Sequence, residues 1–189
     1  MKLLKIIIPC LLLGACVFGT SKNAKFYTLS AATGIPLSTD FAAFVGVNRV
    51  QLPKYMDRPQ IITQHKTAPQ VSVSEYNRWV EPPAVLATRV LTDNLNGLLP
   101  AAQIKINHLK GDRFDKTVSV EIMTLSAVLG QQAELSAWYM VKDKSGKVVA
   151  QQKFASTVKI GKTYDDLAKG YSELLAQLSH ELANILIKQ

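Results

Sequence analysis

The most specific chemistry in this chain is written around a cysteine. Leu13-Gly14-Ala15-Cys16 places a leucine three residues ahead of the thiol and two small residues immediately before it. That spacing resembles the bacterial lipobox. In that motif the thiol of Cys16 is expected to receive a diacylglyceryl group, the small side chains of Gly14 and Ala15 to admit the signal peptidase, and cleavage between Ala15 and Cys16 to free an amine for a further acyl chain. The residues upstream agree. Lys2 and Lys5 form a basic start, and Ile6 to Leu13 is an apolar run broken only by Pro9. This run is far shorter than the roughly 20 residues a helix needs to cross a bilayer, and it has the layout of a secretory signal peptide. Cys10 is no rival, because Ile7-Ile8-Pro9 puts bulk where small residues are required.

Acyl chains contribute about 0.8 kcal/mol per buried CH₂, so one chain binds marginally and two or three hold durably. Cys16 is therefore expected to be the lipidated N-terminus of the mature chain. The residue after it is Val17 rather than the Asp that retains lipoproteins at the inner membrane. In a Gram-negative cell that sorting rule points to the periplasmic face of the outer membrane.

Other chemistry is sparse. His65, His108 and His180 are far apart and have no ligating neighbour at metal spacing, so no metal is expected. Gly161-Lys162-Thr163 imitates the end of a phosphate-binding loop, but Ser156 stands where its first glycine belongs and the intervening residues read as strand. No Gly-x-Ser-x-Gly elbow occurs, and the carboxylates are dispersed along the chain as solvated side chains are. Neither an enzymatic site nor a cofactor is expected.

Two stretches carry the residue types that dominate protein interfaces. One is Leu52 to Ile61, with Tyr55, Arg58 and Pro59 around a rigid turn. The other is Tyr76 to Pro82, with Arg78, Trp79 and Glu81 at a strand-to-helix junction. Two readings stand side by side. In one, Tyr55, Arg58, Pro59, Arg78, Trp79 and Glu81 form a partner surface. In the other they are architectural: Pro59 fixes the turn, Trp79 caps the core and Arg78 pairs with Glu81.

These residues must be positioned by a framework that the pattern predicts in outline. Residues 1–15 are the signal peptide, 16–25 a small polar tether, and 26–189 one folded domain. Strands are expected at Phe26–Leu29, along the β-prone stretch Phe41–Leu52, at Gln60–Gln64 and at Val71–Val80. Pro82 and Pro83 suit a helix start, and apolar residues recur at helical spacing until Gly97 and Pro100. Three strands follow, around Val118–Ile122, Leu135–Val141 and Val148–Ile160, the last two joined by the turn Asp143-Lys144-Ser145-Gly146. A long terminal helix opens at Thr163, with Asp166 three residues on in a near capping box, and shows one apolar face to Leu186. This order predicts an α+β fold, with two main helices on one face of a mostly antiparallel sheet.

Composition sets the outer bounds. The chain has 189 residues, 48% of them apolar, and its two cysteines leave only Cys16 after the signal is removed, so no disulfide within the mature chain is expected. The formal charge is +8, with 22 basic against 14 acidic residues. The positive residues are scattered, and export argues against a nucleic-acid partner.

Together, the lipidated Cys16 followed by Phe26-Tyr27-Thr28-Leu29, the segment Leu52-Pro53 with Tyr55-Met56-Asp57-Arg58-Pro59-Gln60-Ile61, and Arg78-Trp79-Val80-Glu81-Pro82 resemble the PqiC-like ABC-type transport auxiliary lipoproteins. Pro83 departs from the pattern, which has Leu there. The resemblance implies a non-catalytic subunit working beside a mammalian-cell-entry (MCE) domain protein and an inner-membrane permease in intermembrane lipid transport that supports envelope integrity. It also implies a ring-shaped homo-oligomer. The competing expectation is a structural assembly lipoprotein of another envelope machine, for outer-membrane protein insertion or peptidoglycan synthase activation. A third is an envelope hydrolase.

Overall fold

The computed structural model describes residues 23–66, 69–108 and 113–188. The signal peptide, Cys16 and most of the tether lie outside these residues. The described chain forms eight strands and two helices in one α+β domain, in the order β1 (Lys25–Tyr27), β2 (Phe44–Val47), β3 (Gln60–Gln64), β4 (Val71–Trp79), α1 (Pro83–Leu98), β5 (Gln103–Ile106), β6 (Lys116–Val128), β7 (Gln132–Asp143), β8 (Val148–Lys159) and α2 (Tyr164–Lys188).

The strands make two open sheets rather than the single expected one. The larger runs β5-β2-β6-β7-β8 and the smaller β1-β4-β3. The long ladders β6–β7–β8 and the β3–β4 pair are antiparallel, as expected, whereas β1–β4, β2–β5 and β2–β6 are parallel. Parallel neighbours need crossovers, and the excursion from β2 to β5 contains β3, β4 and α1. β5 lies outside the strands expected from the pattern. It has four residues, one of them Lys105, and follows a proline, so its pattern is too short to register as a strand. On its free side the Asn96 amide mimics a neighbouring strand, donating to the Ile104 carbonyl (2.9 Å) and accepting from its N–H (3.3 Å). That pairing blunts one sheet edge.

Alternation decides the faces of the large sheet. Ala133, Leu135, Ala137, Tyr139 and Val141 of β7 pair with Ala127, Leu125, Ile122, Val120 and Val118 of β6, and all ten are buried. Both helices cover this face, α1 against β2 and β5, α2 against β7 and β8, and they touch each other. The opposite face carries Ser119, Glu121, Trp138 and Met140 and, among the described residues, no helix. Toward the β5 edge of this sheet Phe114 lies over Gly46, where any Cβ would come within 2.6 Å of the ring. Phe44 packs on Phe114 with ring centroids 4.5 Å apart.

The helices begin by different devices. At α2, Thr163 and Asp166 make the reciprocal box the spacing predicts: the Asp166 N–H donates to Thr163 Oγ1 (3.1 Å) and the Thr163 N–H to Asp166 Oδ2 (3.1 Å). The Thr163 hydroxyl adds a third bond (2.7 Å), and chiefly through it the Asp166 carboxyl is held below its ordinary pKa. At α1 the flanking Pro82 has no side chain able to cap, and Pro83 occupies the first turn. The pattern departure at Pro83 is thus compatible with the helix start. The missing cap comes from elsewhere in the chain.

Candidate functional site

The two interface-like stretches meet in space at the N-terminus of α1. Gln60 of β3 is in register with Arg78 of β4, and the Trp79 N–H donates to the Pro59 carbonyl at 2.7 Å. The turn before β3 is closed by the Met56 N–H on the Pro53 carbonyl (2.9 Å). From this turn Asp57 reaches across: its Oδ1 accepts the Ala84 N–H at 3.1 Å, and Oδ2 faces Arg49 Nη2 at 3.5 Å. Asp57 therefore supplies the cap that the local sequence of α1 lacks. Helix N-termini leave four N–H groups without intrahelical partners, and a carboxylate there also meets the positive end of the helix dipole.

The junction divides the candidate residues by exposure. Tyr55 is exposed (57%), Pro59 is exposed, and Arg58, Arg78 and Glu81 are partly buried at the rim. Arg58 is steered by its Nε bond to Gln60 Oε1 (3.1 Å), and Arg78 Nε donates to the Glu75 carbonyl (3.1 Å). Trp79 is different. It is 6% exposed and stacks on Tyr171 of α2, with centroids 6.1 Å apart and planes at 24°. Leu52, Met56, Ile61 and Leu125 close around that pair. The indole is core and holds the junction from beneath. One architectural expectation is corrected: Glu81 pairs with Arg89 of α1, not with Arg78. Eight residues on in the chain, two helical turns bring Arg89 back over Glu81, whereas Arg78 lies on the strand side of the bend.

The structure also shows what residue types alone concealed. Buried Asn94 of α1 donates to Ser179 of α2 (3.1 Å) and accepts the Ala32 N–H (2.8 Å), clamping both helices and the segment after β1. Buried Thr88 accepts the Val50 N–H (2.9 Å) and so ties the end of the β2 extension to α1. Tyr139 donates to Glu181 at 2.7 Å, and burial first, then this carboxylate, drives the phenol pKa upward. Trp138 lies on the face of β7 opposite the apolar row. It is 44% exposed and lines a recess of ≈ 490 Å³ with Asn48, Arg49 and Glu121. A second groove, ≈ 530 Å³, lies between the N-terminal segment and α2. Among the described residues, no three His, Cys, Asp or Glu side chains converge as a metal set, and no helix is long and apolar enough to cross a membrane.

A family model described as ABC-type transport auxiliary lipoprotein component matches residues 27–183. No curated protein matches the chain. Among solved structures, an uncharacterized protein is similar at TM-score 0.72 and 20% identity, over 86% of this chain and 98% of its own. Protein XCC0632 from Xanthomonas campestris is similar at TM-score 0.63 and 15% identity, over 84% and 92%. The PelC dodecamer from Paraburkholderia phytofirmans aligns at TM-score 0.45 and 12% identity, over 83% and 92%. At these identities the first two likenesses speak to fold alone.

Proposed function

Because this chain belongs to the ABC-type transport auxiliary lipoprotein family, we propose that it is a non-catalytic subunit of an MCE-type intermembrane lipid transport system, anchored by Cys16 to the periplasmic face of the outer membrane. The observation that carries this reading is the family match over residues 27–183, downstream of the lipobox Leu13-Gly14-Ala15-Cys16. Val17 after the anchor supports the outer rather than the inner membrane.

In this reading the domain docks the periplasmic end of an MCE assembly whose inner-membrane end is the permease. The junction at the start of α1 is its partner surface. Tyr55, Arg58 and Pro59 present the contact, Arg78 and Glu81 lie at its rim, and Trp79 keeps the scaffold rigid below. An interface built on a fixed turn loses little conformational entropy on binding. A ring of identical copies matches the ring symmetry of MCE proteins.

In-cell photo-crosslinking from position 55 or 58 tests the proposal. Capture of an MCE-domain protein is expected, with Arg58→Glu reducing the yield while urea unfolding stays unchanged. Capture of an outer-membrane insertase or peptidoglycan synthase component instead would transfer the chain to another envelope machine. Capture of no MCE partner, from a chain that is correctly anchored, would end the proposal.

A further inference from the structure

The two most exposed large hydrophobic side chains among the described residues are Ile35 (88%) and Phe26 (64%). Both belong to the same N-terminal stretch. Phe26 is exposed on the edge strand β1, in register with Arg78 of β4, and beyond β1 hydrogen bonds hold the chain against both helices: the Ser30 N–H on Ser172 Oγ (3.1 Å), the Ala32 N–H on Asn94 Oδ1 (2.8 Å) and the Leu37 N–H on the Leu98 carbonyl (2.8 Å). The ≈ 530 Å³ groove beside Phe26 is floored by Ala31, Ala32, Ala168 and Ala176. Ala32 and Ala176 also border the next recess, which Gly34 lines just before Ile35. Phe26, these alanines and Ile35 form an apolar strip on the helical side of the domain, interrupted by Ser30, Ser172 and His180.

Chain length indicates what covers it. Phe26 follows Cys16 by ten residues, which span at most about 35 Å when fully extended. A lipid on Cys16 keeps this strip within that reach of a bilayer, whereas the helix-free sheet face lies on the far side of two packed layers. We propose that the strip is a membrane-contact face, with Phe26 and Ile35 entering the interfacial region of the leaflet that holds the anchor. The inference rests on the reading of Cys16 as lipidated. Lys169 lines the groove together with Asp165 and Glu173, Lys25 precedes Phe26 and Arg78 is its register partner on β4, so the net charge is small and the contact is apolar rather than electrostatic.

The test uses the full acylated chain in vesicles of phosphatidylethanolamine and phosphatidylglycerol containing lipids brominated on the acyl chain. Phe26→Trp and Ile35→Trp are each made with Trp138→Phe, leaving only buried Trp79 as background, and are compared with the parent chain carrying Trp138. The expected result is several-fold stronger quenching at positions 26 and 35 than at Trp138, unchanged in molar salt. Vesicle-bound protein with positions 26 and 35 unquenched overturns the proposal while leaving the anchor intact. Quenching that salt abolishes overturns the apolar contact in favour of charge. Mass spectrometry finding Cys16 unmodified, with the chain free in solution, overturns the anchor and this inference with it.

Discussion

Asp57 shows how one side chain can serve a helix it does not belong to. Pro82 and Pro83 make a good geometric start for α1 but offer no capping oxygen, and the carboxylate comes from 27 residues upstream. Asp57→Ala should cost about 1 kcal/mol in urea unfolding, and Asp57→Asn clearly less, because the amide oxygen still accepts the Ala84 N–H. Equal losses for the two would instead assign the effect to the Arg49 pair, which is exposed and worth little. Trp79 belongs to the same junction but to its interior. Trp79→Ala should cost about 3–5 kcal/mol, since it opens a cavity against Tyr171 and Leu125. A partner-binding defect in that variant would therefore report unfolding, and a marginal stability change would argue that the indole is not packed as described.

The two helices answer to different controls. The start of α2 is a local device, and its acid response follows from Asp166. A carboxyl held below its ordinary pKa contributes stability that is present above the unfolded-state value and lost as pH falls through the folded one. The first turn of α2 should thus loosen in acid, below the ordinary Asp range near about pH 4. Thr163→Ala removes the bond chiefly responsible, and an NMR titration should find the Asp166 pKa returned toward its usual value; no change would reject the box as the cause. Further along, Gly170 lets α2 lie close over the β7–β8 ladder. A Cβ there would come within 2.4 Å of Ile160 Cγ2. Gly170→Ala gains about 1 kcal/mol in helix propensity but overpacks a branched side chain, at about 1–3 kcal/mol. Net destabilisation is expected in thermal unfolding, relieved by Ile160→Ala in the same chain; a higher melting temperature from Gly170→Ala alone would mean the helix stands off the sheet.

The molecule as a whole has two unlike sides. One bears the helices, the pinned N-terminal stretch and the apolar strip; the other is an open sheet face with Trp138 at a polar recess. The proposed partner junction at the start of α1 lies where the small sheet meets the large one. On the proposed function, Cys16→Ala should release the chain from membranes and abolish its role in envelope integrity even with the fold unchanged. Fractionation together with detergent sensitivity of the cells measures both, and full protection by an unanchored form would refute the need for the anchor.

Features whose causes are local could be read from residue order. The apolar stripe of α2, the box of Thr163 and Asp166, the turn at Asp143 to Gly146 and the alternation of β6 and β7 depend on neighbours a few residues away. The expected lipobox is local as well, which is why Cys16 stands out by sequence though it lies outside the described residues. Tertiary structure decided what depends on distant partners. Parallel pairing of β1 with β4 joins Lys25 to Asn77, and no periodicity encodes a partner that far away. Burial of Trp79 depends on Tyr171, 92 residues on in the chain, while the same pattern of Arg, Trp and Glu would equally suit an exposed hot spot. Exposure of Phe26 and Ile35 is of the same kind. An apolar side chain states only a preference to leave water, and the fold decides whether the domain's own core or an outside surface satisfies it.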